Sequence, residues 1–253
     1  MTRYAEWCAQ VEPPVPKHKL KVLKADPTKH AAAIAAVAAA VPDHYVAPAR
    51  LAGLLTRLGR SAVAEFVAQK LPTATSIQSG DLGEILCTTY VHEATPFKLG
   101  IKRLRWKDHR NMAMRGDDVL AFELGQGGAG LAVLKAESKS RAKMPASVVK
   151  DARKALSEFG ELPSPHALSF VADRLSEAGD KPLKDALDDA QLKTGLKLSQ
   201  VTHMLFSFSG NDATAILSKN LGEYTGPVAQ HYVGLHVEGQ KAFIDAVFAA
   251  VKT

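Results

Sequence analysis

Cysteine is scarce in this chain. Its 253 residues include two, Cys8 and Cys87, in unrelated contexts. No CxxC or Cys/His spacing suits zinc, and a disulfide is not expected, so the reducing cytoplasm is the expected compartment. Long apolar runs are also missing. The longest covers residues 31–41 and is mostly alanine. It is far shorter than the roughly 20 residues a membrane helix needs, so a buried helix is expected there, with no membrane partner. The segment from Met1 to Cys8 has no secretory apolar core. No G-x-x-x-x-G-K-[ST] occurs, which excludes a P-loop ATPase and leaves no nucleotide cofactor expected on this chain. A G-x-G-x-x-G match does occur, from Gly125 to Gly130. Strand-like residues follow it, so no helix N-terminus is at hand for a pyrophosphate, and a hairpin loop is the better reading. Internal repeats and low-complexity tails are absent.

The rest of the composition is ordinary for a globular protein, with 46% hydrophobic and 23% charged residues. Lys and Arg number 32 against 26 Asp and Glu, a formal net charge of +6. That modest excess fits a polyanion partner, although many proteins without one share it. The length allows one large core, or a small domain attached to a larger one.

Residues 1–26 carry prolines at 13, 14 and 16 and then alternating lysines. They predict an extended arm with one short strand, whose basic alternation is either a phosphate-contacting edge or a solvated face. Asp26-Pro27 opens an alanine-rich helix that Pro42 is expected to break. Segments 47–58 and 61–71 read as shorter amphipathic helices separated by Gly59. The organisation predicted is an arm and helical region over 1–75 and a main domain over 76–253. In the latter, Ser79 or Asp81 is placed to cap a helix whose Leu82, Ile85, Leu86 and Thr89 share a face. A basic strand is predicted over 100–106, a hairpin over 117–124 and 131–138, and helices over 145–159, 165–175 and 182–192. Strands at 201–209 and 231–237 and a helix over 239–251 follow. This order predicts an α/β fold, a central mixed sheet flanked by helices.

The hairpin carries the chemistry. Asp118 stands at the mouth of one apolar strand, and Glu137-x-Lys139 ends the other. Residues two apart on a strand share a face, so Glu137 and Lys139 project together, with Asp118 on the neighbouring strand. Chance E-x-K triplets are common and surface hairpins alternate charges, so the triplet alone also fits a solvated face. Two carboxylates and a lysine at a strand edge suit phosphodiester hydrolysis with Mg²⁺ or Mn²⁺. In that reading Asp118 and Glu137 hold the ion, with the Ser138 carbonyl as a further ligand. Lys139 orients the attacking water and steadies the charge on the phosphorane. Glu84, upstream in a helix, is a fourth acid or else a first-turn residue favoured by the helix dipole. Asp117 competes with Asp118, and the apolar register favours Asp118. Lys102, Arg103, Arg105, Arg115, Arg141 and Lys143 surround the motif and are candidate DNA phosphate contacts, or else a solvated face. Trp106 is a candidate for stacking on a base, with a core role preferred. The histidines show no metal-ligand spacing, and Ser207-Phe-Ser-Gly-Asn is not a nucleophile elbow.

In their order, the Gly83-Glu84 helix, the Gly116-x-Asp118 strand and the Glu137-x-Lys139 strand resemble the PD-(D/E)xK nuclease superfamily. The wider stretch over residues 80–145 is similar to the HamA family, nuclease subunits of the Hachiman anti-phage defence system. In place of the superfamily's proline before the first acid stands Gly116-Asp117. The resemblance implies a restriction-endonuclease-like core, a metal-dependent DNA nuclease with Glu84, Asp118, Glu137 and Lys139 as its site, and a separate HamB-like helicase as partner. Two other classes compete: a non-catalytic adaptor that binds DNA or the helicase, and a phosphohydrolase acting on nucleotides.

Overall fold

The computed structural model of the protein describes residues 3–125 and 130–251. The chain builds one seven-stranded mixed sheet with helices on both faces, the α/β architecture that the alternation of elements predicts. A short helix, α1 (Tyr4–Trp7), leads into β1 (Cys8–Val11) and β2 (Lys19–Ala25). Three helices follow: α2 (His30–Tyr45), α3 (Pro48–Lys70) and α4 (Thr75–Ala94). Next come β3 (Lys98–Leu99), the hairpin β4 (Val119–Leu124) and β5 (Leu131–Arg141), then α5 (Ala146–Ser157), α6 (Pro165–Ala178) and α7 (Lys181–Asp189). The chain continues through β6 (Val201–Ser209), α8 (Thr214–Gly222), β7 (Ala229–His236) and α9 (Gln240–Val251).

The strand order is β1-β2-β7-β6-β5-β4-β3. The four central strands, β2, β7, β6 and β5, run parallel, and antiparallel pairs close both sides. Buried on both faces, β6 has no exposed position at all, as expected for a parallel strand covered by helices on either side. On one face α2, α4 and α9 pack through Val37, Val41, Leu82, Ile85, Leu86, Phe243 and Val247 onto Leu134, Phe206, Phe208 and Val233. The other face is divided. Helices α6 and α7 cover Leu120, Phe122 and Val133, while α5 and α8 cover Leu20, Leu205 and Tyr232. Among the described residues no single helix is long and apolar enough to cross a membrane.

Four sequence expectations change. The arm is not a loose extension: β1 and β2 join the sheet, and Trp7 and Leu23 are buried in its core. β1 covers β2 only over Val22–Ala25, so Lys24 lies within that pairing while Lys19 and Lys21 lie beyond it. Pro42 does not end α2, which runs one further turn and delivers buried Tyr45 to Asp81 at 2.6 Å. The predicted strand over 100–106 is a 3-10 turn, Arg103–Trp106, after only two residues of β3. At Gly100 a β-carbon would lie 2.7 Å from Phe122 and 2.8 Å from Val171. The chain leaves the sheet there and drops Leu104 into the core. Finally, α4 begins at Thr75 rather than at Ser79 or Asp81. Both residues lie inside the helix, where the Ser79 hydroxyl meets that of Ser140 at 2.8 Å. The hairpin closes with Gly125 N–H donating to the Gly130 carbonyl at 3.0 Å. The glycine-rich loop expected between them, residues 126–129, lies outside the described residues.

Candidate active site

The mouth of the β4–β5 hairpin sorts the two aspartates. Gly116 has φ +88°, a left-handed conformation that costs glycine little. Beyond it, Asp117 and Asp118 part. The Asp117 carboxylate accepts from Ser164 N–H at 2.8 Å and pairs with Lys135 Nζ at 3.5 Å. The Asp118 carboxylate accepts from Ser138 N–H at 2.9 Å through Oδ2 and from Arg103 Nη2 at 2.6 Å through Oδ1. Val119 lies opposite Ala136, and continuing that register sets Asp118 beside Glu137.

Glu84 arrives from the other direction on α4. It is the tenth residue of that helix rather than a first-turn acid, so the helix dipole does not explain it. Its position depends on Gly83. A β-carbon at Gly83 would stand 3.1 Å from Ser138 Oγ and 3.2 Å from Ser140 Cβ, so the small residue lets α4 lie close on the end of β5. The Glu84 carboxylate takes both Arg103 Nε at 3.0 Å and Nη2 at 2.8 Å. Arg103 thereby bridges the two acids, a two-toothed geometry that suits guanidinium and not ammonium. Its Nη1 reaches the carbonyls of Arg115 and Gly116, each at 3.4 Å.

Glu137 and Lys139 pair with each other across the strand pleat. Burial raises the Glu137 carboxyl to about 7, and Asp118 adds to the rise, against Lys139. Burial likewise raises Glu84 to about 7, with Arg103 opposing and Asp118 and Asp81 reinforcing. Burial works against the Arg103 charge, but Glu84 and then Asp118 outweigh it and hold its pKa above the ordinary value. The set therefore has three acids and two bases in a poorly hydrated place, and its negative charge is under-compensated. Ser138 Oγ, packed against Gly83, is buried with no hydrogen-bond partner.

These features fit a divalent ion. Excess buried carboxylate charge calls for a cation, and Mg²⁺ takes one or two carboxylates and keeps several waters. Asp118, Glu137 and the Ser138 carbonyl are the oxygen donors at hand. Among the described residues no three or more His, Cys, Asp or Glu side chains form a metal cage by themselves.

The remaining basic residues separate into two groups. Lys102 and Arg105 both pair with Asp43, which ties the 3-10 turn to α2. Arg115, Arg141 and Lys143 are exposed, and Arg141 donates to the Ser140 carbonyl at 2.8 Å. Sequence reasoning set Arg103 among the phosphate contacts and missed its bridge between the acids. The run of Lys102, Arg103 and Arg105 carried no signal for which base turns inward. It also missed the adjoining buried group in which Lys107 and Tyr45 both donate to Asp81, at 2.7 and 2.6 Å.

A model of the HamA family matches residues 2–251. The chain belongs to the HamA family. Among curated proteins it is similar to the Hachiman protein HamA of Bacillus cereus, with 27% identity over 177 residues. That alignment covers 70% of this chain and 62% of the relative, so the chain spans somewhat less than two thirds of the curated protein it matches. Nearly the whole described fold, from α1 to α9, lies inside the family match.

Proposed function

We propose that the chain is a metal-dependent DNA nuclease with a restriction-endonuclease-like core, acting in Hachiman anti-phage defence beside a separate HamB-like helicase. The observation that carries this reading is the meeting of Asp118, Glu84 and the Glu137–Lys139 pair at the end of β5, with more carboxylate than base. Membership of the HamA family supports the defence role. Asp118, Glu137 and the Ser138 carbonyl would hold Mg²⁺ or Mn²⁺. When bound, such an ion polarises a phosphate and lowers the pKa of a water.

The chain's own groups divide the remaining work. The Lys139 ammonium, held by Glu137, is positioned to orient the attacking water and to neutralise charge gathering on the phosphate oxygens. Arg103 holds Glu84 and Asp118 in place through its shared guanidinium. Exposed Arg115, Arg141 and Lys143 suit contacts with flanking phosphates, which position a strand without reading its sequence. Translocation along DNA would fall to the helicase, since the P-loop motif is missing here. A weakly selective nuclease endangers its host, so restraint by that partner is part of the proposal. Unchanged cell viability when this chain is expressed alone, despite activity in vitro, would count against restraint.

One observation favours a second reading, the non-catalytic adaptor. Arg103 already bridges two of the acids, which leaves less need for a metal. Plasmid cleavage with Mg²⁺ decides between them, using wild type, Glu137→Ala and Lys139→Ala, each with and without the helicase. Metal-dependent cleavage that both substitutions abolish establishes the nuclease and its site. Failure to cleave under every condition, with DNA binding retained in all three proteins, establishes the adaptor.

A further inference from the structure

Beside the acids lies a cavity that phosphodiester hydrolysis alone does not require. It has a volume of about 420 Å³ and sits between the 3-10 turn, the segment over 107–117 and α6. Trp106 and Phe170 form its aromatic wall, edge to face with ring centroids 6.0 Å apart. The Arg174 guanidinium lies over both rings, 5.9 Å from Trp106 and 5.3 Å from Phe170. That stacking fixes the wall. Met112 and Met114 also line it, supplying adaptable, polarisable surface. Met112 is exposed, so this part of the lining is open to solvent.

Two features relate this cavity to the acids. Arg103 lines it while also holding Glu84 and Asp118, so one side chain separates the aromatic wall from the carboxylates. Arg115, also lining it, is exposed, and no ion pair involves it among the described residues. A cavity with an aromatic wall and with Arg103, Lys107 and Arg115 also in its lining, one residue away from a candidate phosphate site, suits a heteroaromatic ring attached to a phosphodiester. The volume falls within the range of natural small-ligand sites. A paired base in a duplex presents no free face to such a slot, whereas an unpaired base does.

We propose that this cavity receives an unpaired nucleobase of the strand whose phosphate lies at Asp118 and Glu137. The assignment rests on the nuclease reading of the acids and adds to it a substrate class: single-stranded, frayed or flipped DNA. Trp106 supplies the stacking face, Phe170, perpendicular to it, an aromatic edge, and Arg115 the contact to the adjoining phosphate. Stacking tolerates any base, so the slot selects for strandedness and not for sequence.

The test uses Glu137→Gln protein, expected on the nuclease reading to bind without cutting. Its affinity is measured by fluorescence anisotropy for a single-stranded oligonucleotide and for an abasic oligonucleotide of the same length. The base-bearing strand is expected to bind about tenfold more tightly, as one stacked base provides. Adding Trp106→Leu should bring the two affinities together while leaving the abasic affinity unchanged. Ala113→Phe offers a second route, because Ala113 lines the cavity yet is exposed, and filling the space there spares the core. Intrinsic emission gives an independent signal: Trp7 is 2% exposed, so quenching by added bases reports on Trp106. Equal affinity for the two strands, with DNA binding and cleavage intact, overturns the base slot alone. Absence of both DNA binding and cleavage in wild type overturns the slot together with the nuclease reading beneath it.

Discussion

Lys135 and Lys139 stand four residues apart on β5, and their surroundings could hardly differ more. The Lys135 side chain is 2% exposed, and its ammonium donates to the carbonyls of Leu156 at 3.2 Å and Leu162 at 2.9 Å, with Ala155 and Glu158 slightly farther. Asp117 completes the shell. Burial pushes the Lys135 pKa down while Asp117 pulls it back. Its donors are fully used at the end of α5, where helix carbonyls favour a cation. Lys139 has one described partner, Glu137, and a side chain 27% exposed. One lysine is saturated and structural; the other keeps donors free for a ligand. The two aspartates repeat the contrast. Asp117 belongs to the saturated shell, and Asp118 to the set with charge to spare.

The sharpest way to break this contrast is to remove each lysine in turn. Lys139→Met should lower Mg²⁺-dependent cleavage by about a thousandfold, in line with the loss of a charge-stabilising donor, and leave the melting temperature nearly unchanged. Lys135→Met should do the opposite. It orphans buried carbonyls and Asp117, at a cost of about 3 kcal/mol, which chemical denaturation reads, while the folded fraction still cuts. A Lys135 variant that folds well yet cannot cut would dissolve the distinction.

Arg103→Met comes next in size. Two buried acids lose their shared counter-charge, for a loss of about 2–3 kcal/mol at pH 8. Added Mg²⁺ should restore part of this in thermal melts, and no recovery at all would speak against an ion among these acids. A smaller effect follows from pH. The carboxyls of Glu84 and Glu137 sit at about 7 in the fold, above their ordinary 4.5. Between those values the folded chain holds protons that the unfolded chain has released, so metal-free stability should fall as pH rises through that window. Glu137→Gln should flatten the slope and raise metal-free stability at pH 8 by roughly 1–2 kcal/mol, measured by denaturant titration. A slope that is unchanged in the variant removes Glu137 from the cause. Smallest of all, Gly83→Ala should displace α4 by a few tenths of an ångström and slow cleavage about tenfold at near-native stability.

The Asp118, Glu137 and Lys139 pattern was legible because it stands at the ends of apolar strands, where a charge has no reason of its own to be. The mixed sheet was legible from the alternation of apolar segments. Arg103 was not, since a run of bases in a turn looks the same whichever one points inward. The start of α4 was misplaced because Ser79 and Asp81 resemble caps, whereas both are interior residues bonded to Ser140, Tyr45 and Lys107. One short strand was expected in residues 1–26, but its place in the main sheet was not legible, because the parallel neighbour of β2, β7, is remote in sequence.

That remoteness has a consequence for the nascent chain. Lys19 pairs with His231, so β2 finds its parallel neighbour only after β7 has been made. The Ser140 hydroxyl beside the acids is fastened by Gln240 of α9 at 2.8 Å. A ribosome therefore has to release nearly all of this fold before the sheet can close, and such long-range pairing is slow to form. Partly synthesised chains would carry the acids and the lysine without the scaffold that gathers them. On the proposed nuclease reading, delayed assembly would keep the nascent chain inactive until nearly all of the described fold has been made.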